Sequence, residues 1–345
     1  MKLDSLNSLT YKMISKEKDL FSDKIFHDTL KVSFPVLNKE KSFQISGTKV
    51  HEIYDGKKLI QMDLDKLTYQ LKSGNENSLF QYKVLPYLVS SLKKTVQENS
   101  PGKSESDTVI SGKKYVSIQI KEFDSLRNGK RVYRIIKIVL DKGTYLPFHY
   151  RSEQQGFIDG TDMFVDTYLD IHFYDYQLNQ DYSDLSSFVV PDKFSIEKPK
   201  ESKPILKESI TAPELLLKDS KGFAYKLENQ KGKVILLNFS SNSCPHSIES
   251  IKMLNTLNST YGHKNFIIVT INPHDDKEAI EKYNHKGNIK YPIFTSEGSY
   301  NLDNYNVDSF PTFYLIDKYN KIIKGFRGYH KSLDDELNEL IKKHI

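Results

Sequence analysis

The chain contains no tryptophan and only one cysteine, Cys244, among its 345 residues. With one thiol no intramolecular disulfide can form, so cysteine usage carries no message about redox compartment. No run of about 18 apolar residues occurs, which excludes a transmembrane helix. The opening, MKLDSLNSLT, lacks the basic segment and apolar core of a signal peptide. A signal or lipoprotein anchor, if the protein has one, is expected to have been removed. An excess of either charge is also missing. The 50 Lys and Arg residues are interspersed with 45 Asp and Glu, for a net charge of +5. No basic footprint for nucleic acid follows, and no nucleic-acid partner is expected. There is no internal repeat. No Gly-x-Ser-x-Gly occurs, which argues against a nucleophile-elbow hydrolase.

What remains is the composition of a globular chain, with 38% hydrophobic and 28% charged residues. Its length suggests two domains of about 150 residues each. The composition shifts at PDKFSIEKPKESKPILKESITAP, residues 191–213, which holds four prolines and few large apolar side chains. Residues 191–211 therefore read as a linker or extended crossing segment between domains at 1–190 and 212–345.

The first domain reads as mostly strand. YVSIQIKEF alternates Val116, Ile118 and Ile120 with polar residues. In TYLDIHFYDY, Leu169, Ile171 and Phe173 share one face and Tyr168, His172, Tyr174 and Tyr176 the other. Asp55-Gly56 and Asn128-Gly129 each sit between strand-like runs and predict hairpins with type I′ turns. Helices are expected near Leu3–Leu9 and from Leu79 to about Val96. ENSPGKSESD, residues 98–107, reads as a loop. The fold class is thus α+β with one curved antiparallel sheet. The Tyr54-Asp-Gly-Lys57 hairpin and the Leu140-Asp-Lys-Gly-Thr-Tyr-Leu-Pro147 strand end are similar to the LolA-like half-barrel of lipoprotein carriers. That resemblance implies an apolar cavity for a lipid or peptide; a filled core with no ligand is the alternative.

The second domain has a different rhythm. VILLNF (234–239) and NFIIVTI (265–271) are continuous apolar runs, as in strands buried on both faces. A helix is expected from Pro245 to Tyr261. A second begins at DDKEAIEKY, where Asp275 and Asp276 suit a helix N-terminus. TFYLID and KIIKGF form a hairpin, and LDDELNELIKKHI closes as an amphipathic helix. No other ligand cluster has metal spacing, so His274-Asp275-Asp276 reads as a cap and no metal is expected.

The order strand, helix, strand, helix, hairpin, helix is that of thioredoxin. Residues 212–345 resemble the TlpA/ResA-like branch of the thioredoxin superfamily, an α/β thioredoxin-like fold. The matching stretches are APELLLKDSKGFAYKLENQKGKVILLNF, FPTFYLID and GFRG. The active-site stretch NFSSNSCPHS departs from the family. Ser243 replaces a tryptophan, Ser247 replaces the second cysteine of Cys-x-x-Cys, and Ser250 stands at the family's glutamate, with Glu249 beside it. The resemblance implies that Cys244 is a nucleophile exchanging with protein thiols or disulfides in the bacterial cell envelope or periplasm, without a cofactor. Its place at a strand-to-helix junction lets helix amides favour a thiolate. Pro245 suits the first turn. His246 offers a cation near the sulfur, as in the Cys-Pro-His-Cys of DsbA-type oxidants. A Phe310–Pro311 cis bond facing Cys244 is implied, leaving the Phe310 backbone to pair with an extended substrate.

Ser247 limits the chemistry, because a hydroxyl forms no S–S bond. Three readings stay open. Outside thiols or the substrate resolve the mixed disulfide; the site holds a thiol partner covalently; or Ser247 is an engineered replacement of a cysteine. A different class also stays open: a non-catalytic binding protein with a ligand in its first domain and a degenerate thioredoxin module. A peroxiredoxin would need Pro and Thr upstream of its cysteine, where Leu237 and Ser241 stand.

Overall fold

Apolar residues two apart build a sheet, and most of the first half of the chain follows that rule. The computed structural model describes residues 6–22, 24–35, 42–73, 81–98, 102–159, 161–180, 190–197, 202–218, 224–226, 230–296 and 298–345. The chain divides into two compact units, Met1–Gly156 with Asp166–Lys200, and Phe157–Val165 with Glu201–Ile345.

The first unit is built from β1 (Leu9–Lys18), β2 (Ile25–Phe34), β3 (Phe43–Ser46), β4 (Val50–Tyr54), β5 (Lys58–Asp63), β6 (Thr68–Ser73), helix α1 (Leu85–Glu98), β7 (Lys103–Ile110), β8 (Lys113–Arg127), β9 (Lys130–Asp141), β10 (Pro147–Phe157), β11 (Phe164–Leu178) and β12 (Ser195–Ile196). They form one twelve-stranded sheet in the order β12-β6-β5-β4-β3-β2-β1-β11-β10-β9-β8-β7. Neighbouring strands run antiparallel as far as their pairing is described, save the two-residue parallel pairing of β12 with β6.

Helix α1 covers part of one face, where Leu85 and Leu88 pack with Tyr11, Met13, Ile136 and Phe173. The Leu85 N–H donates to the buried Tyr11 hydroxyl at 2.9 Å, so a strand side chain satisfies a free amide of the first helical turn. Pro86 sits in that first turn, where its missing N–H costs nothing. Burial pushes the Tyr11 phenol well above its ordinary value.

Several local expectations change. Residues 3–5 of the expected first helix lie outside the described residues, and Leu9 already opens β1. The second expected helix is interrupted: Gln81 is helical, Tyr82–Val84 are not, and α1 runs from Leu85; residues 79 and 80 lie outside the described residues. Lys103–Asp107, expected as loop, belongs to β7, because Ser111 (φ 49°) and Gly112 (φ 79°) make a tight turn into β8. Asn128 (φ 51°) and Gly129 (φ 72°) have the paired positive φ of a type I′ turn. At the other hairpin only Gly56 is positive (φ 94°), and the Asp55 carboxylate accepts from the Lys57 and Lys58 amides instead. Tyr176 lies inward, against Tyr11, rather than on the face of His172. The cause is a bulge: Thr10 pairs with Gln177 but Lys12 with Tyr174, and Asp175 has φ 57°.

In the second unit, β13 (Leu217–Lys218), β14 (Ala224–Tyr225), β15 (Val234–Phe239), α2 (Pro245–Glu249), α3 (Ile251–Tyr261), β16 (Phe266–Asn272), α4 (Lys277–Lys286), β17 (Ile293–Thr295), α5 (Tyr300–Asn304), β18 (Thr312–Ile316), β19 (Ile322–Arg327) and α6 (Leu333–His344) follow in chain order. The sheet order is β14-β13-β17-β16-β15-β18-β19. Parallel pairing joins β15, β16 and β17, and antiparallel pairing joins β15 to β18 and β18 to β19. Every residue of β15 is buried. Val234 and Leu236 enter the core under α3 and α6, while Ile235, Leu237 and Phe239 enter the opposite core. This is a thioredoxin-like α/β sandwich.

Part of the expected linker is bonded to structured elements. Ser195–Ile196 is β12, and Ser209 and Ala212 donate to the carbonyls of Ile322 and Asn320.

Candidate active site

Cys244 lies where β15 gives way to α2. The fully buried strand is fixed between two cores, so its C-terminal end is a rigid platform. Ser240 N–H bonds the Ile271 carbonyl, and Cys244 N–H turns back to the Ser241 carbonyl at 3.2 Å. Cys244 is the N-cap of α2, with extended backbone (φ −94°, ψ 116°), and Pro245 follows in the first turn. Its carbonyl accepts from Ile248 N–H at 3.1 Å. The chain runs on from α2 into α3 through Ser250, with Ser250 N–H bonding His246 and Leu254 N–H bonding Ser250.

The thiol is part-buried and donates to the Phe310 carbonyl at 3.1 Å. The Phe310–Pro311 peptide is cis, and Pro311 is buried while Phe310 is half-buried. The fold therefore brings Cys244, Pro245, Phe310 and Pro311 together. The Phe310 carbonyl is not wholly free for a substrate, because the thiol already uses it.

Ser247 is 1% exposed. Its hydroxyl accepts a long bond from Ser241 N–H at 3.4 Å, and its carbonyl accepts from the Ser250 hydroxyl at 2.8 Å. It lies one turn after Cys244, buried. His246 is exposed, and its Nδ1 meets Glu249 Oε2 at 3.1 Å. The imidazole is thus engaged by a carboxylate on its own helix, which offsets any positive charge it would offer the sulfur.

Sequence reasoning missed the residues that hold the loop in place. Asn242 N–H donates to Asp275 Oδ2 at 3.0 Å, and Asn272 Nδ2 donates to Asn242 Oδ1 at 2.9 Å. Of the two aspartates expected to cap α4, only Asp276 does so, accepting from Ala279 N–H at 2.9 Å. The His274 ring stands edge-on to Phe310, with centroids 5.5 Å apart. Tyr283 is buried nearby; burial pushes its phenol well above the ordinary value, and the Asp275 and Cys244 charges act in the same direction. The only sequence signal for this group was the clustering of Asn242, Asn272 and Asp275 just past two strand ends.

The first unit holds an apolar cavity of about 330 Å³, lined by Leu88, Leu92, Ile138, Leu140, Tyr150 and Phe173, with Lys93 and Gln97 among its polar neighbours.

Residues 210–324 match the AhpC/TSA family. The chain is 30% identical over 118 residues to the thiol-disulfide oxidoreductase ResA of Geobacillus kaustophilus (strain HTA426), spanning 34% of this chain and 68% of that protein. It is 29% identical over 135 residues to the ResA of Geobacillus thermodenitrificans (strain NG80-2), spanning 39% and 74%. Among solved structures it is similar to a thiol:disulfide interchange protein DsbE from Chlorobium tepidum, at 22% identity and a TM-score of 0.39, covering 40% of this chain and 98% of that one.

Proposed function

Because this chain belongs, through its C-terminal unit, to the ResA family of thiol-disulfide oxidoreductases, we propose that it exchanges thiols and disulfides with protein substrates through Cys244. The supporting observation is the placement of the sulfur. Cys244 is the N-cap residue of α2, makes no side-chain cap bond there, and turns its sulfur to the Phe310 carbonyl beside Pro311.

In the proposed step the Cys244 thiolate attacks one sulfur of a substrate disulfide. The Cys244–substrate S–S bond forms as the substrate's own S–S bond breaks, and the second substrate sulfur leaves as a thiolate that takes a proton. A substrate thiolate or a small thiol then attacks the mixed disulfide and frees Cys244. Ser247 takes no part as a nucleophile: it is buried and has no sulfur. His246 stays beside Glu249 and tunes the site only weakly. Pro245, Phe310 and Pro311 form the surface on which an extended substrate lies. Bacterial envelope compartments suit this exchange, since disulfides persist there. Among the described residues no helix is long and apolar enough to cross a membrane. The AhpC/TSA match does not extend the proposal to peroxide reduction, because Leu237 and Ser241 occupy the Pro and Thr positions that chemistry needs.

The test is capture of the intermediate. Incubated with glutathione disulfide and then with a disulfide-bonded protein, the chain should gain one covalent adduct by mass spectrometry, reversed by dithiothreitol and absent in Cys244→Ser. A wild-type chain that gains no adduct under conditions where free cysteine does so would sink the proposal.

The apolar cavity under α1 favours a second reading, in which the first unit holds a lipid or an apolar peptide. Native mass spectrometry of the purified chain is expected to show a co-purified apolar ligand. A ligand-free spectrum that stays unchanged after incubation with a fatty acid counts against it.

A further inference from the structure

On the face of the first sheet that points away from Ile171 and Phe173, three side chains from two strands converge. Asp170 and His172 are two apart on β11, so the pleat aims both outward. His149 reaches the same point from β10. His149 Nε2 lies 3.1 Å from Asp170 Oδ2, and His172 Nε2 lies 3.4 Å from Asp170 Oδ1. One ligand atom from each of the three residues falls within 4.8 Å of the other two. Each imidazole presents the same nitrogen to one carboxylate. We propose that His149, Asp170 and His172 bind a single divalent transition metal of the imidazole-preferring class, such as zinc.

The separations suit that role. Tetrahedral zinc with bonds of about 2.0–2.1 Å holds its ligand atoms roughly 3.3–3.4 Å apart, close to the 3.4 Å between His172 Nε2 and Asp170 Oδ1. The donor set of two imidazoles and one carboxylate is that of open metal sites, where further positions are left to water. His149 and Asp170 are largely covered, with side chains 18% and 13% exposed, while His172 is 50% exposed. Two donors are therefore fixed on paired strands, and the third forms the side from which an ion enters. The two rings stack with centroids 4.4 Å apart. Both nitrogens reach one ion only if a ring turns about its Cβ–Cγ bond, and His172 is the half-exposed ring of the two.

The surroundings set the strength. Arg151 holds Asp170 Oδ2 at 2.9 Å, also pairs with Glu153, and lies over the Tyr168 ring. It orients the carboxylate and leaves Oδ1 for the ion. Lys16 pairs with Asp170 across β1 and β11, and the Phe148 ring stands edge-on to His172. The two cations oppose a third, so binding should be weaker than in a closed four-ligand site.

The test uses the full chain carrying Cys244→Ser, which removes the one thiol from competition. Calorimetric titration with Zn²⁺ alone is expected to show one saturable site per chain. His149→Gln and His172→Gln should each weaken it on the order of tenfold or more. Co²⁺ bound to the same parent should give a visible absorption band that both variants lose. Circular dichroism establishes that each variant is folded; if His149→Gln is not, the exposed His172→Gln carries the comparison. Absence of saturable zinc binding in the parent, or equal binding in the parent and folded His172→Gln, overturns the proposal and leaves the cluster as an ion-pair network.

Discussion

Ser247 sets the limit on what Cys244 does. It occupies the last position of the Cys-Pro-His-Ser stretch, yet it is buried and its hydroxyl faces the Ser241 amide. Ser247→Cys is expected to create an internal dithiol. With dithiothreitol as reductant, its insulin-reduction rate should exceed that of the wild type on the order of tenfold or more; an unchanged rate would show that the pair cannot close. Two histidines of the first unit contribute to its acid behaviour. Burial holds His51 and His172 below the ordinary value of 6.5, with His149 adding to the effect at His172. The unfolded chain therefore binds these protons first. Stability is complete above that value and falls as pH drops through it toward the folded values. Asp170 acts lower: burial opposes its ionisation, but bonds from Arg151 and His149 outweigh this and hold it below 3.8. Its share is lost only as pH falls through that lower value. Urea midpoints between pH 8 and 5 should show the histidine slope, and His51→Gln should flatten it; an equal slope in that variant contradicts the assignment.

Elements show how far patterning goes. VILLNF could be read as a doubly buried strand because both its faces enter cores. Tyr176 could not be placed, because one extra residue shifts the alternation and nothing in DYQL marks it. The helix start at Leu85 was hidden for a similar reason: its amide partner, Tyr11, is 74 residues away. Tyr11→Phe should leave that buried amide unpaired and cost about 1–3 kcal/mol, read from the denaturant midpoint. Gly325 in β19 marks a close approach. A Cβ there would fall within contact distance of Ile205 and 2.7 Å from Tyr314 Cε1. Gly325→Ala is therefore expected to cost about 1–3 kcal/mol, and a variant as stable as the wild type would show that the 202–206 segment yields freely.

For the whole molecule, legibility divided with the two units. The thioredoxin-like unit carries its signals in local runs: an apolar strand, Cys-Pro at a helix start and Phe-Pro before a strand. The first unit places its informative groups across strands, as with His149 beside Asp170 and His172, and a single chain read in order does not show strand neighbours. The positions of Cys244 and Phe310 were legible; the Asn242–Asp275 tie was not, since it joins two loops. Both cores of the second unit draw their residues from positions 205–341. A fragment of residues 202–345 should accordingly fold alone and unfold in one cooperative step by circular dichroism. A broad, non-cooperative melt would show that it depends on residues 1–201.

The bulge at Asp175 makes β11 unusual in how it tolerates changes of length. Losing one residue from a strand normally turns every later side chain to the wrong face. Here the extra residue is already present, and β1 opposite keeps Leu9, Tyr11 and Met13 inward without interruption. Deleting Asp175 would set Tyr176 opposite Tyr11 and Leu178 opposite Leu9 in plain alternation, with only the Lys12 ion pair and the local kink removed. Position 175 is thus a place in that strand where the gene could lose a codon without scrambling the core.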